Sequence, residues 1–191
     1  MAIINTHNIT LTRGSITLRP LCDDHAPLLV KWGSNPDVLY WTDGPDAQPQ
    51  TLDDVQGIWG QVSQQGLCFL IEYEGTAIGE CWLQEMHERQ RNINYVDEPT
   101  ELDLRRIDMS IGEKAYWGRG IGTQLIGMLT QFALEQQNVD VLYGITFDYN
   151  KRSQRAFEEN GFRFAGEYHE NEHTMTKLRL TRQEYFARFN A

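Results

Sequence analysis

Ile107-Asp108-Met109-Ser110-Ile111-Gly112 runs shortly into Trp117-Gly118-Arg119-Gly120-Ile121-Gly122-Thr123, and Ile121, Leu125, Leu129 and Phe132 continue at helical spacing. The alternation of Ile107, Met109 and Ile111 with Asp108 and Ser110 makes a strand with one apolar face. Glycines then lead straight into an amphipathic helix. Such a turn lets the backbone approach a ligand closely, and the first N–H groups of the helix, unpartnered within it, point the same way with the positive end of the helix dipole behind them. It reads as an anion cradle. It is not a Walker A loop, because GxxxxGK[ST] is absent, and its spacing differs from the dinucleotide fingerprint GxGxxG. A glycine turn that binds nothing fits the same residues.

Outward from this stretch the periods alternate as in a mixed α/β domain, with no internal repeat, low-complexity tract or long linker. Ile16 and Leu18 mark a short strand closed by Pro20; Asp23 can cap a helix carrying Ala26, Leu29 and Val30 that ends near Gly33. Residues 41–50 (WTDGPDAQPQ) read as a loop. Thr51 and Asp54 form a capping box opening a helix with the stripe Val55, Ile58, Trp59 and Val62. Strands over 67–73 and 76–85 are joined by a tight Glu74-Gly75 turn, and a polar, acidic stretch follows over 88–103. Beyond the turn come a strand over 141–147, a helix stopped by Asn160-Gly161, and final strands near FRFAGEY and MTKLRL.

With 191 residues, 40% of them hydrophobic, the chain suits one domain with a real core, so 1–191 is read as a single domain. Lys and Arg number 17 against 27 Asp and Glu, 17 − 27 = −10, which argues against nucleic acid or an anionic membrane as partner. A cationic partner fits better, although acidity also serves solubility alone. Cys22, Cys68 and Cys81 lack CxxC spacing, and the five histidines form no ligand pattern, so neither a disulfide framework nor a metal is expected. No signal-like start and no run of about 18 apolar residues is present, so the expected location is cytoplasmic.

The glycine turn resembles the pyrophosphate motif of the GCN5-related N-acetyltransferase (GNAT) superfamily, Arg/Gln-x-x-Gly-x-Gly/Ala, here Trp117-x-x-Gly120-x-Gly122. A second element, from Asn150 through Ser153, Ala156 and Phe157 to Gly161-Phe162, is similar to that superfamily's helix after the fifth strand. The resemblance implies a GNAT fold, a central, mostly antiparallel mixed sheet of about six to seven strands with about four flanking helices. It implies acetyl-CoA as acetyl donor, without a metal. Contacts would come from Ile111, Gly112, Trp117, Gly118, Arg119, Gly120, Ile121, Gly122 and Thr123, and from Asn150, Ser153 and Phe157. Two positions depart from the pattern. Trp117 replaces Arg or Gln, and Phe157 stands where a tyrosine often protonates the leaving thiolate. Either the thiolate leaves unaided, as a thiol pKa of about 8.5 permits, or Tyr149 or Tyr116 supplies the proton.

An alkylamine with a pKa near 10 is only about 0.1% neutral at pH 7, so a nearby carboxylate that takes its proton helps acetyl transfer. Asp108, mid-strand before the turn, suits that role; a strand carboxylate paired with Arg105, Arg106 or solvent suits the position equally. Thr51-Leu52-Asp53-Asp54-Val55-Gln56 and Arg105-Arg106-Ile107-Asp108 are similar to signatures of aminoglycoside 6′-N-acetyltransferases. That resemblance implies Asp108 as catalytic base at a 6′-amine, and thus an antibiotic-resistance enzyme. An acetyltransferase for a polyamine, a protein N-terminus or a siderophore precursor is the alternative, and a non-catalytic acetyl-CoA-binding domain is a third reading. A polycationic acceptor calls for carboxylates around aromatic surface. Candidates are Trp41, Asp43 and Asp46, Glu80, Tyr95 with Asp97, Glu98, Glu101 and Asp103, and Asp148. Trp59 and Trp82 read as core. A monomer and a homodimer are equally compatible with the sequence.

Overall fold

Glycine or left-handed corners set much of the strand pairing. In the computed structural model, which describes residues 3–188, Gly14 at φ +57° turns β1 (Leu11–Arg13) back onto β2 (Ile16–Pro20), pairing Leu11 with Leu18. Ile16 and Leu18 face the core and are essentially inaccessible. Strand β3 (Gly66–Tyr73) pairs antiparallel with β2. Glu74 (φ 50°) and Gly75 (φ 76°) then turn it into β4 (Thr76–Glu85), both left-handed as a type I′ hairpin turn requires. Strand β5 (Leu104–Ile111) runs parallel to β6 (Val141–Phe147); β6 pairs antiparallel with β8 (His173–Thr181), which pairs antiparallel with β7 (Arg163–Glu170). The eight-stranded sheet has the order β1-β2-β3-β4-β5-β6-β8-β7.

Two compact units divide the chain. The first runs to Trp82 and adds Met109–Gly122. Its helices are α1 (Ala26–Gly33), α2 (Pro36–Thr42) and α3 (Leu52–Val62). Leu21, Leu29, Trp32, Val55, Trp59, Cys68 and Leu70 form its core. The Thr51–Asp54 capping box is present, but Ile58 is 39% exposed, so the buried stripe of α3 is narrower than its sequence pattern. Asp23 lies in a short 3-10 turn and does not cap α1; its carboxylate accepts the N–H groups of Ile3 and Ile4, both at 2.9 Å. Trp41 and Thr42 close α2 where a loop was expected, because the Asn35 side chain caps that helix and Pro36 begins it.

The second unit comprises Leu83–Asp108 and the chain from Thr123 onward. Met86, Leu104, Val141 and Tyr143 build one of its cores. Helix α4 (Glu88–Ile93) interrupts the acidic stretch, α6 (Lys151–Glu159) follows β6, and α7 (Arg182–Ala187) follows β8. Gly144 is required by packing: a Cβ there would stand 2.5 Å from the Phe157 ring. Helix α5 (Ile121–Gln131) continues into a π turn over Phe132–Gln136, and Ile121, Leu125, Leu129 and Phe132 are all buried as their spacing predicts.

The strand count exceeds the expected six to seven by β1, whose three residues are too few to show a period. Helices α2, α4 and α7, six or seven residues each, exceed the expected four for the same reason.

Candidate functional site

The glycine turn grows out of the end of β5. After Ile111, Gly112 packs so tightly on Trp32 that a Cβ would lie 2.1 Å from the indole. Glu113 accepts the Trp32 indole N–H at 2.8 Å and the Lys31 ammonium, and these bonds, the lysine's first, hold its carboxyl below the ordinary range. A 3-10 turn over Lys114–Tyr116 leads to Trp117 in extended backbone. Gly118 and Gly120 follow at φ +72° and +71°, left-handed conformations that only glycine adopts freely. A Cβ on either would meet nothing within 4 Å, so the backbone of the turn faces open space. Helix α5 starts immediately at Ile121, and its first N–H groups lack partners within the helix. The Ile121 side chain is core, so any ligand contact there is through its N–H. Arg119 lies with its guanidinium 5.0 Å from the Tyr116 ring centroid.

Of the other first-unit candidates, Trp41 packs edge-on against Tyr40 at 4.8 Å, Asp43 accepts the Thr42 hydroxyl at 2.6 Å, and Asp46 is exposed. Glu80 is buried at 9% exposure. Burial first, and the Glu80 charge second, push the Cys68 thiol up to about 12 and Cys81 well above the usual thiol range. All three cysteines are free.

In the second unit, Asp108 forms an ion pair with Arg106 two residues earlier on the same strand face, and Arg105 turns to Asp103 at 3.0 Å. The structure thus realises the Arg106 pairing that was one of the two sequence readings of Asp108. The Asn150 side-chain oxygen Oδ1 accepts the Ser153 N–H at 3.2 Å and caps α6. Phe157 is buried and packs edge-on against Phe162 at 5.0 Å, so its ring belongs to the core. Thr123, at the start of α5, donates its hydroxyl to Glu159 at 3.2 Å. Tyr149 stacks on Phe147 at 5.1 Å, and Asp148 is half-buried after β6.

The acidic stretch is more ordered than its composition suggests. Arg91 donates to three backbone carbonyls, Met86 at 2.8 Å, Pro99 at 2.9 Å and Leu102 at 2.7 Å, and so gathers the stretch around one guanidinium. Tyr95, left-handed at φ 50° and 64% exposed, is presented at its corner. The Lys177 ammonium is hydrogen-bonded to the Tyr95 carbonyl, and the Tyr168 ring lies 5.3 Å from the Tyr95 ring. Tyr168 donates to Asn94 at 2.8 Å, and burial first, then the Glu170 charge, raise its phenol to about 12. Glu98 accepts from Arg179 at 2.6 Å and from Tyr143 at 2.9 Å. Sequence reading reached Tyr95 and Glu98 but missed Arg91, Lys177 and Tyr168. Only an aromatic and a cation on neighbouring strands hinted at the last two. No group of His, Cys, Asp and Glu among the described residues could hold a metal, and no helix among them is long and apolar enough to cross a membrane.

A glycine-cradled helix start thus follows a strand end in a mixed sheet that contains the parallel β5–β6 pairing. The acetyltransferase (GNAT) domain model matches residues 15–163, and the chain belongs to that family of acetyltransferases. It is 25% identical over 161 residues, 83% of this chain and 79% of the relative, to an aminoglycoside N(6′)-acetyltransferase type 1 of Klebsiella pneumoniae. It is 21% identical over 155 residues, 81% of this chain and 77% of the relative, to an N-acetyltransferase 9-like protein of Nematostella vectensis. Among solved structures, aminoglycoside acetyltransferase AAC(6′)-Ib in complex with coenzyme A and kanamycin superposes with TM-score 0.76 at 23% identity, covering 93% of this chain and all of that one. An uncharacterized protein from Bacillus halodurans gives TM-score 0.78 at 14% identity, over 95% of this chain and 94% of that one.

Proposed function

We propose that this chain is an aminoglycoside 6′-N-acetyltransferase, one domain over 1–191 that moves acetyl from acetyl-CoA to the 6′-amine and so confers antibiotic resistance. The observation that carries the reading is the match of 83% of the chain to a curated aminoglycoside N(6′)-acetyltransferase. A single family match over 15–163, running through both units, supports treating them as one domain. The free, buried thiols Cys68 and Cys81 accord with a cytoplasmic location.

The turn fits an anionic donor. Left-handed Gly118 and Gly120 leave their backbone open, and the N–H groups of Ile121, Gly122 and Thr123 would meet a pyrophosphate without a metal. When bound, acetyl-CoA supplies a thioester whose carbonyl carbon is open to attack by an amine. A backbone N–H at Ile111 or Gly112 polarises that carbonyl, a role worth about 10² to 10³ in rate where such donors have been removed. Asn150 faces the pantetheine arm, with Ser153 beside it on α6. Asp108 takes the proton of the ammonium, directly or through water, so that the neutral nitrogen forms the new C–N bond as the C–S bond breaks. With Phe157 in the core, no acid is assigned there, and coenzyme A departs as the thiolate. Candidate contacts to the polycation are Trp41, Asp43, Asp46 and Glu80 in the first unit and, in the second, the exposed Tyr95 ring and Asp148.

The same fold serves other amines, and the N-acetyltransferase 9-like relative, not named for an antibiotic, favours that second reading. Thiol release from acetyl-CoA, followed with kanamycin, with a related compound bearing a 6′-hydroxyl, and with spermidine, separates the two. Turnover is expected with kanamycin alone. Equal turnover of the hydroxyl compound defeats the 6′ assignment, and preference for spermidine selects the alternative.

A further inference from the structure

Trp117 stands where the superfamily carries Arg or Gln, and its side chain turns back to the strand. Its indole N–H donates to the Ile111 carbonyl at 2.6 Å, joining the last residue of β5 to the residue before Gly118. Within that loop the Tyr116 N–H donates to Glu113 and the Trp117 N–H to Lys114, both at 3.0 Å, so the intervening turn is internally bonded.

The strand end is itself fixed from several sides. A Cβ on Gly79 would lie 2.0 Å from the Ser110 carbonyl oxygen and 2.9 Å from the Ile111 Cα, so β4 presses directly on it. Gly112 rests on the Trp32 indole, and the Glu113 N–H donates to Ile78 at 3.0 Å. Ile111 therefore occupies one position, and the Trp117 indole transmits that position to the start of the glycine turn. A donor of one fixed direction on a rigid ring does this; a flexible, fully charged arginine would not hold a single carbonyl in the same way.

We propose that Trp117 is a positioning residue for the acetyl donor: its indole sets the distance between the turn that holds the pyrophosphate and the strand end that lines the thioester arm. The inference rests on the acetyl-CoA reading of the turn. A ligand that touches both places gains when their separation is set beforehand, because less ordering remains to be done on binding. A ligand that touches only one gains nothing.

Trp117→Phe keeps an aromatic ring and removes the N–H. Titration calorimetry should show acetyl-CoA binding about five- to tenfold weaker, the equivalent of one neutral hydrogen bond. S-acetylpantetheine, which lacks the pyrophosphate and nucleotide, should be used with kcat/KM within about twofold of wild type, since it spans no tether. Equal losses with both donors would mean that the strand end has loosened, and the coupling would be overturned. Unchanged acetyl-CoA affinity in the variant would overturn it too. Failure of the wild-type protein to bind acetyl-CoA would instead sink the donor reading itself.

Discussion

The glycine turn after β5 and the acidic stretch before it are built by opposite means. At the turn the working groups are backbone: two left-handed glycines with open space before them and a helix start whose N–H groups lack partners within the helix. In the stretch over 88–103 the backbone is instead the thing held, by the Arg91 guanidinium on the Pro99 and Leu102 carbonyls and by Lys177 on the Tyr95 carbonyl, and side chains are what it presents. A backbone-built site suits a ligand group common to every turnover, the anionic end of a donor. A side-chain-built site suits an acceptor that differs among enzymes of one fold, because side chains change without disturbing the chain path. The difference predicts that substitutions will separate into donor and acceptor effects.

The largest effect is expected at Asp108. Asp108→Asn removes the proposed base and should lower kcat at pH 7 by at least about tenfold, toward the 10² typical of lost general-base catalysis. The KM for acetyl-CoA should stay within about twofold if donor and acceptor functions are separate. Because Asp108 is paired with Arg106, Arg106→Met is the control: it breaks the same ion pair but keeps the carboxylate. Stopped-time assays of thiol release read both variants. An unchanged rate in Asp108→Asn removes that residue from proton transfer, and equal losses in the two variants assign the effect to the ion pair.

A smaller effect, and the sharpest test of the contrast, is expected at Arg91. Arg91→Met leaves three carbonyls without a charged donor. Each would cost about 1 to 3 kcal/mol if it stayed buried, and less where water replaces the guanidinium in this partly exposed stretch. A net loss of about 2 kcal/mol corresponds to a Tm lower by about 5 °C in a chain of this size. The KM for the aminoglycoside should rise several-fold while calorimetric affinity for acetyl-CoA holds. A parallel loss of donor affinity would erase the distinction between the two regions.

The two regions also differ in how far the sequence alone reveals them. The turn was legible because glycine spacing after an alternating strand is a local signal, and so were the main strands and longer helices, whose periods span enough residues to register. Arg91 and Lys177 were not, since nothing local distinguishes a cation that reaches a backbone carbonyl from one that faces solvent. Helix α7 carries a local signal of its own: Thr181 and Glu184 form a capping box, as Thr51 and Asp54 do for α3. Asp23 misled in the other direction, because an aspartate before an apolar stripe caps a helix or accepts from distant N–H groups with equal chemical ease, and here Ile3 and Ile4 claim it. The sequence around Asp108 fits two roles, and its pairing with Arg106 gives the local geometry while the rate measurements above decide the chemistry.

The smallest effect concerns a carboxylate that braces the backbone-built side. Glu113 accepts from Lys31 and from the Trp32 indole N–H, and these hold its folded-state pKa below the ordinary 4.5. A depressed folded pKa means that the ionised form is favoured by folding. The stabilisation is therefore present above about pH 4.5 and is lost as pH falls through the lower folded value. Glu113→Gln should lower Tm near pH 7 by only about 2 °C, because the pair is partly solvated and its Coulomb term is screened. That gap should close as the pH falls through the lowered folded value, where the wild-type carboxyl takes up its proton and loses the same advantage. Other carboxylates held low by hydrogen bonds, Asp54 and Glu184 among them, lower the stability of both proteins together, so the difference between the two melting curves isolates Glu113. A gap that stays constant from pH 7 down to the acid limit of folding would mean that shape, not charge, braces the strand end. Glu113 would then brace the backbone-built side without its charge, and the contrast of that side with the Arg91-held stretch would become stronger.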